Sequence, residues 1–177
     1  MLTDQLKKAI ETYPNFPTNG IMFKDLTPIL RNPDLFNKLI HEMSNASFFK
    51  DSECIVGIDA RGFIFASGLA LLLSKPLVLA RKPGKLPGNL IEESYELEYG
   101  INALSMQSES LKDYKSFAIV DDLLATGGTV NSVAKILKNQ KKIIKGLSVV
   151  VELNALKARS KFNFKVSSII NYSTNFI

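Results

Sequence analysis

Residues Ser116 to Lys138 read SFAIVDDLLATGGTVNSVAKILK: an apolar run, two carboxylates, a loop of small residues, then a helical repeat. Phe117, Ala118, Ile119 and Val120 follow one another without polar alternation, the pattern of a strand buried on both faces of a parallel sheet. Val130, Val133, Ala134 and Leu137 recur at i, i+3, i+4 and i+7, so the spacing predicts a helix after the loop. Between them, Ala125, Thr126, Gly127, Gly128 and Thr129 carry little side-chain bulk. A ligand can therefore approach the backbone, and N–H groups at the helix start can point at an anion such as a phosphate monoester. Asp121 and Asp122 stand at the strand's carboxyl end, where open α/β sheets take their ligands. Carboxylates beside a phosphate pocket hold hydroxyls or bias a metal ion, and they would repel a phosphate they touched. The pattern suggests a sugar phosphate, with phosphate on the glycines and hydroxyls on the acids. A Walker site is excluded because no Gly-Lys-Ser/Thr follows.

The same logic recurs upstream. Cys54 to Ile58 is a second buried strand, Asp59-Ala60-Arg61-Gly62 its loop, and Phe63 to Leu73 an apolar helix in which Ala66, Ser67 and Gly68 allow close packing. An arginine at a strand's carboxyl end can grip pyrophosphate bidentately; pairing with a surface acid is the plainer alternative. Leu77 to Ala80 reads as a third strand, followed by Arg81, Lys82 and Lys85 in a Pro/Gly-rich loop. Towards the N-terminus, Thr3 is expected to cap a helix with the apolar face Leu6, Ala9, Ile10 and Tyr13, ended by Pro14 and Pro17. Asn15 to Leu30 reads as an apolar, aromatic loop that covers something, and Asn32-Pro33 opens a helix reaching about Met43 or Ser44. Asn89 to Gln107 alternates, which implies a hairpin or extended flap. Asn139 suits a left-handed helix cap, Leu147 to Leu153 is a further buried strand, and Val166, Ser168 and Ile170 alternate toward an edge strand. The expected fold class is α/β: a parallel sheet flanked by helices, with an N-terminal hood (about 1–32) and a flexible loop and antiparallel flap (about 81–107), in one domain over 1–177.

Composition agrees with a single packed domain. The chain has 177 residues, 46% of them hydrophobic, enough for a real core. The apolar stretch around Leu69 to Leu73 is too short and interrupted to span a bilayer, and Met1-Leu2-Thr3-Asp4 lacks a basic leader, so cytoplasmic residence without membrane contact is expected. Cys54 is the only cysteine and enters an apolar run, as a packing residue does. His41 falls outside the apolar positions Leu35, Leu39, Ile40 and Met43, so it reads as surface. The net charge of +5 suits anionic small molecules or nucleic acid. Lys138, Lys141, Lys142 and Lys145 gather around a helix end, where cations complement the dipole.

Five segments together carry a resemblance. VDDLLATGGT (120–129) resembles the phosphoribosyl-pyrophosphate loop of the type I phosphoribosyltransferases, in the form found where the acceptor is adenine. NFPTNGIMFKDLTPIL (15–30) resembles the family's purine-binding segment, FP-x-x-GI-x-F-(R/K)-D-(I/L)-(T/S)-P, with Asn19 where many members carry proline and Lys24 where many carry arginine. DARG (59–62) is similar to the family's (E/D)-(A/S)-RG loop, which opens on a non-proline cis peptide; RKPGKLPG (81–88) resembles a further signature, and SYELEYG (94–100) the catalytic flap. The likeness runs roughly from Phe16 to Glu152.

What the resemblance implies is transfer of the 5-phosphoribosyl group from phosphoribosyl pyrophosphate to adenine in purine salvage, giving AMP and pyrophosphate. It assigns the 5-phosphate to Ala125, Thr126, Gly127, Gly128 and Thr129, and the pyrophosphate to Asp59, Ala60, Arg61, Arg81 and Lys85. Adenine falls to backbone near Met22 and Lys24, with Phe23 against one ring face and Leu123 opposite. Asp121, Asp122 and Glu98 are implied as catalytic, Glu98 at the purine N7. Mg2+ is expected to arrive on phosphoribosyl pyrophosphate, with no direct protein ligand, and the 81–88 loop to reach the partner's site in a homodimer. No nucleic-acid partner is expected. The alternatives are a phosphoribosyltransferase for guanine, hypoxanthine or xanthine, and a non-catalytic regulator that senses phosphoribosyl pyrophosphate.

Overall fold

Each apolar run and helical repeat of the chain becomes an element of a layered α/β structure. The computed structural model describes residues 1–97 and 100–173, with side chains outside 95–102. In chain order the first elements are α1 (Leu2–Ala9), β1 (Glu11–Pro14), β2 (Met22–Asp25), α2 (Thr27–Leu30) and α3 (Pro33–Ser44). A 3-10 turn (Ser47–Phe49), β3 (Cys54–Ile58), α4 (Gly62–Leu73) and β4 (Leu77–Ala80) follow. Next come β5 (Leu90–Leu97), β6 (Gly100–Gln107), α5 (Ser108–Leu111), β7 (Ser116–Leu124) and α6 (Gly128–Asn139). The chain ends with β8 (Ile143–Leu153), 3-10 turns at Asn154–Leu156 and Ala158–Lys161, and β9 (Lys165–Tyr172). Among the described residues no helix is long and apolar enough to cross a membrane.

The sheet is parallel throughout, in the order β4-β3-β7-β8-β9. The alternation of side chains along β7 divides its apolar run between two cores. Ala118 and Val120 pack with Ile55, Leu39, Met43, Phe65 and Leu69 under α1, α3 and α4. Phe117 and Ile119 pack with Val56, Val133, Ile136 and Leu137 under α6. Burying each such aliphatic or aromatic side chain contributes about 1.5–3 kcal/mol, which is why the unalternating runs sit at the centre. The hairpin β5–β6 closes the second face. Ser132 Oγ donates to Glu93 O at 2.8 Å and Asn139 Nδ2 to Glu93 Oε1 at 2.9 Å. Arg81 pairs antiparallel with Ser105, so the hairpin is stitched to the end of β4.

Several expectations are corrected. Helix α1 begins at Leu2 with Met1 as its N-cap and no side-chain cap, so Thr3 lies inside the helix. Tyr13 is not on its apolar face: the helix stops at Ala9, and Tyr13 lies in β1, 47% exposed. Residues 15–30 are not all loop, because β2 pairs antiparallel with β1 and α2 follows, which satisfies backbone groups that an apolar loop would leave open. The left-handed residue after α6 is Lys141, φ 56°, not Asn139. Lys142 N reaches back to Leu137 O at 2.8 Å across that turn, and the Asn139 side chain is occupied by Glu93. Cys54 is fully buried and His41 is exposed, as expected.

Candidate functional site

From β3 the chain crosses to β4 on one side while β7 lies on the other, so the strand order reverses between β3 and β7. In open α/β sheets the crevice at such a point, beyond the carboxyl ends, is the natural ligand site. A cavity of about 340 Å3 opens there. Its walls are Asp59, Ala60 and Arg61 after β3, Asp121 to Leu124 at the end of β7, Ala125 to Gly127 in the loop after it, and Thr129 and Val130 in the first turn of α6. The loop after β3 opens with a cis Asp59–Ala60 peptide. Gly62 lets α4 settle onto β7: a methyl there would lie 2.8 Å from Asp121 Oδ1 and 3.1 Å from Asp121 Cα.

On the opposite wall, Gly127 caps α6 with φ 83°, a left-handed conformation glycine adopts without steric cost. Among the described residues, no protein acceptor takes the backbone amides of Ala125, Thr126, Gly127, Gly128 or Thr129. Unclaimed N–H groups, a helix dipole and open space at one point are the physical requirements of an anion cradle. Gly128 starts the helix and is not part of the cavity wall.

The two aspartates differ. Asp121 tucks beneath the first turn of α4, and its Oδ1 accepts the Asp122 amide at 2.8 Å. Burial, and next the neighbouring Asp122 charge, hold its carboxyl well above the usual range. Asp122 Oδ2 stands 2.7 Å from Arg61 Nε, an ion pair out of hydrogen-bond alignment that leaves this buried oxygen with unmet accepting capacity. A sugar hydroxyl is the kind of donor such an oxygen lacks.

Arg61 joins three parts of the site. Besides pairing with Asp122, its NH1 donates to Lys24 O at 3.4 Å, and its guanidinium lies 4.9 Å from the Phe23 ring centroid. Phe16 meets Phe23 edge-on at 5.0 Å. Phe23 thus contacts Arg61, which lines the cavity, but Met22, Phe23 and Lys24 contribute nothing to its wall; Leu123 does. The Lys24 side chain points elsewhere, its Nζ donating to Thr12 Oγ1 at 2.8 Å and lying 4.6 Å from the Tyr172 ring centroid. Burial lowers the pKa of that ammonium.

Arg81 is anchored beside the cavity, its Nε 3.1 Å from Asp59 Oδ2 and its NH1 donating to Lys85 O at 3.2 Å. Lys85 itself is exposed and stands off the wall. Glu98 lies outside the described residues. Among the described residues, no group of three or more His, Cys, Asp or Glu side chains could hold a metal ion. One residue at the site has no counterpart in the sequence reading: Lys161, whose Nζ donates to Thr126 O at 2.9 Å. Its charge, at the end of the 3-10 turn between β8 and β9, carries no local signature that would have singled it out.

Comparison with known proteins agrees with this geometry. A phosphoribosyl transferase domain model matches residues 25–177. An adenine phosphoribosyltransferase of Prochlorococcus marinus is 62% identical over 172 residues, 97% of this chain and 100% of that protein. One from Mycoplasmopsis agalactiae is 46% identical over 89% of this chain and 92% of its own. The solved adenine phosphoribosyltransferase of Thermoanaerobacter pseudethanolicus superposes with a TM-score of 0.91 at 37% identity, covering 97% of this chain and 100% of that one. The Saccharomyces cerevisiae enzyme, solved with an imino-altritol bisphosphate and adenine, gives 0.87 at 38% identity over 95% and 98% of the two chains.

Proposed function

The chain belongs to the adenine phosphoribosyltransferases of the phosphoribosyl transferase domain family, and from that membership we propose how its own residues carry the 5-phosphoribosyl group from phosphoribosyl pyrophosphate to adenine in purine salvage, releasing AMP and pyrophosphate. The observation that carries the reading is the set of unclaimed amides at Ala125–Thr129 directly beyond the Asp121–Asp122 pair. Those amides, with the N-terminus of α6 behind them, take the 5-phosphate. The ribose hydroxyls donate to Asp122, whose Oδ2 has capacity to accept. Because burial favours the protonated form of Asp121, the negative field at the sugar comes chiefly from Asp122, while Asp121 holds the strand end against α4.

Arg61 leaves Asp122 and Phe23 to grip the pyrophosphate, and Arg81 with Lys85 completes the cationic wall. Mg2+ would be held by phosphoribosyl pyrophosphate itself, with no direct protein ligand, and would screen the charge of the departing pyrophosphate. Adenine lies between Phe23, uncovered by that movement, and Leu123, with backbone near Met22 and Lys24 reading its edge and Glu98 managing the proton at N7. As the bond from C1 to pyrophosphate breaks and that to N9 forms, positive charge develops on the sugar. Catalysis is positioning plus electrostatics, with no covalent enzyme intermediate. The hairpin β5–β6 excludes water from that cation. A homodimer in which the 81–88 loop reaches the partner, working in the cytoplasm, completes the proposal.

The direct test incubates the protein with adenine, phosphoribosyl pyrophosphate and Mg2+ and follows AMP and pyrophosphate by chromatography, with guanine, hypoxanthine and xanthine in parallel. AMP from adenine alone is the expected result. Turnover of another base at a higher kcat/KM would overturn the base assignment, and binding without turnover would make the chain a sensor.

A further inference from the structure

The phosphate loop is backed by a distant segment tied to the end of β8 through a buried carboxylate. At the end of β8, Glu152 is 3% exposed and opposite Leu124, the last residue before the loop. Arg159 clasps it with both arms, Nε to Oε1 at 3.0 Å and NH2 to Oε2, while Ser168 Oγ donates to Oε2 at 2.8 Å. From the turn so fixed, Ala158 and Phe162 press on Gly127, leaving 3.3 Å and 3.0 Å to where a methyl would stand. Lys161 extends its Nζ to Thr126 O at 2.9 Å.

A trans peptide holds its C=O and N–H on opposite sides. With the Thr126 carbonyl drawn out to Lys161, the Gly127 N–H points the other way, and Gly127 lines the cavity with that amide unclaimed by protein. None of Ala125 to Thr129 carries a formal charge, so the ammonium of Lys161 supplies one where the helix dipole alone would act. We propose that Lys161 is a positioning residue for the sugar phosphate: it sets the Thr126–Gly127 peptide for the 5-phosphate and biases the cradle towards a dianionic phosphate monoester. The proposal rests on the phosphoribosyl-transfer reading and deepens it.

The test uses the whole chain with ribose 5-phosphate and pyrophosphate as separate titrants, in wild type, Lys161→Met and Lys161→Arg. Lys161→Met is expected to weaken ribose 5-phosphate about tenfold, as loss of a charge-assisted contact does. Its pyrophosphate affinity and melting temperature should stay at wild-type values. In turnover the loss should appear in KM for phosphoribosyl pyrophosphate with kcat kept, Lys161→Arg should restore it, and about 1 M salt should shrink the gap between variants. Unchanged ribose 5-phosphate affinity in Lys161→Met, or an equal loss of pyrophosphate affinity, overturns the proposal. Wild type that still makes AMP in that case leaves the enzymatic reading standing; wild type that makes none removes both.

Discussion

Replacing Gly62 by alanine tests how the cavity's two walls are held together. The added methyl would stand 2.8 Å from Asp121 Oδ1, 3.1 Å from Asp121 Cα and 3.2 Å from Val120 O. Two of these are β7 backbone atoms in the centre of the sheet and cannot yield, so α4 must lift by about half an ångström to reach ordinary contact. Overpacking of this kind costs about 1–3 kcal/mol, against a helix-propensity gain of at most ~1 kcal/mol for alanine over glycine. The clash wins. A net loss of about 1–2 kcal/mol lowers the melting temperature of a chain this size by about 2–8 °C. Because Arg61 rides on the lifted turn, its reach to Asp122 changes, and by the rule that ~1 Å of misplacement costs ~100-fold, kcat/KM should fall about tenfold. The measurements are a thermal melt by circular dichroism and steady-state AMP formation. Gly68→Ala is the control: its methyl meets only the Ile40 side chain, Cδ1 at 2.9 Å and Cγ1 at 3.1 Å, in the core away from the cavity, so stability should drop while activity stays at the wild-type level. A Gly62→Ala protein that melts and turns over like wild type would refute the account of the walls.

The other substitutions separate charge from packing. Asp122→Asn removes the negative field at the sugar, and kcat should drop about 100- to 1,000-fold, the scale for losing one preorganised electrostatic group, with little change in melting temperature; normal turnover would discard the assignment. Asp121→Asn acts oppositely on stability. The folded Asp121 keeps a proton that the unfolded chain has already lost, so the stability it contributes is full at acid pH and falls as pH rises from the ordinary carboxylate range through the raised folded-state pKa. The asparagine variant should therefore be at least as stable as wild type at pH 7.5 and show a flatter stability profile over pH 4–8, measured by urea unfolding; an unchanged slope would contradict it. Burial pushes the Cys54 thiol up to about 12. Iodoacetamide at pH 8 should consequently label Cys54 at the rate of global unfolding, and rapid labelling of native protein would show the core to be open there.

The legible parts of this chain are those whose cause is local. The strand at Cys54 to Ile58 matches its predicted bounds, and α3 and α4 fall within a residue of theirs, because apolar period and cap chemistry involve neighbours a few positions apart. The Asn32 cap is there as expected, its side chain accepting from Leu35 N at 3.1 Å. The open loop between β7 and α6 was legible for the same reason, since small residues between a buried strand and an amphipathic helix leave the backbone open. Thr3 was misread because a capping residue type says only where a helix can start, and α1 starts at Leu2. β1 and β2 were missed because neither alternates strongly, and each exists through pairing with the other.

What the sequence determined alone is the set of elements, the fold class and the placing of acids and glycines at one strand end, since these depend on residue type and spacing. Tertiary structure decided how the groups are used. Arg61 bridges Asp122, Lys24 and Phe23, burial beneath α4 raises the Asp121 carboxyl, and Lys161 reaches the Thr126 carbonyl from a separate turn. Ion pairing, desolvation and peptide orientation are set by which distant segments pack together, and no local pattern encodes that.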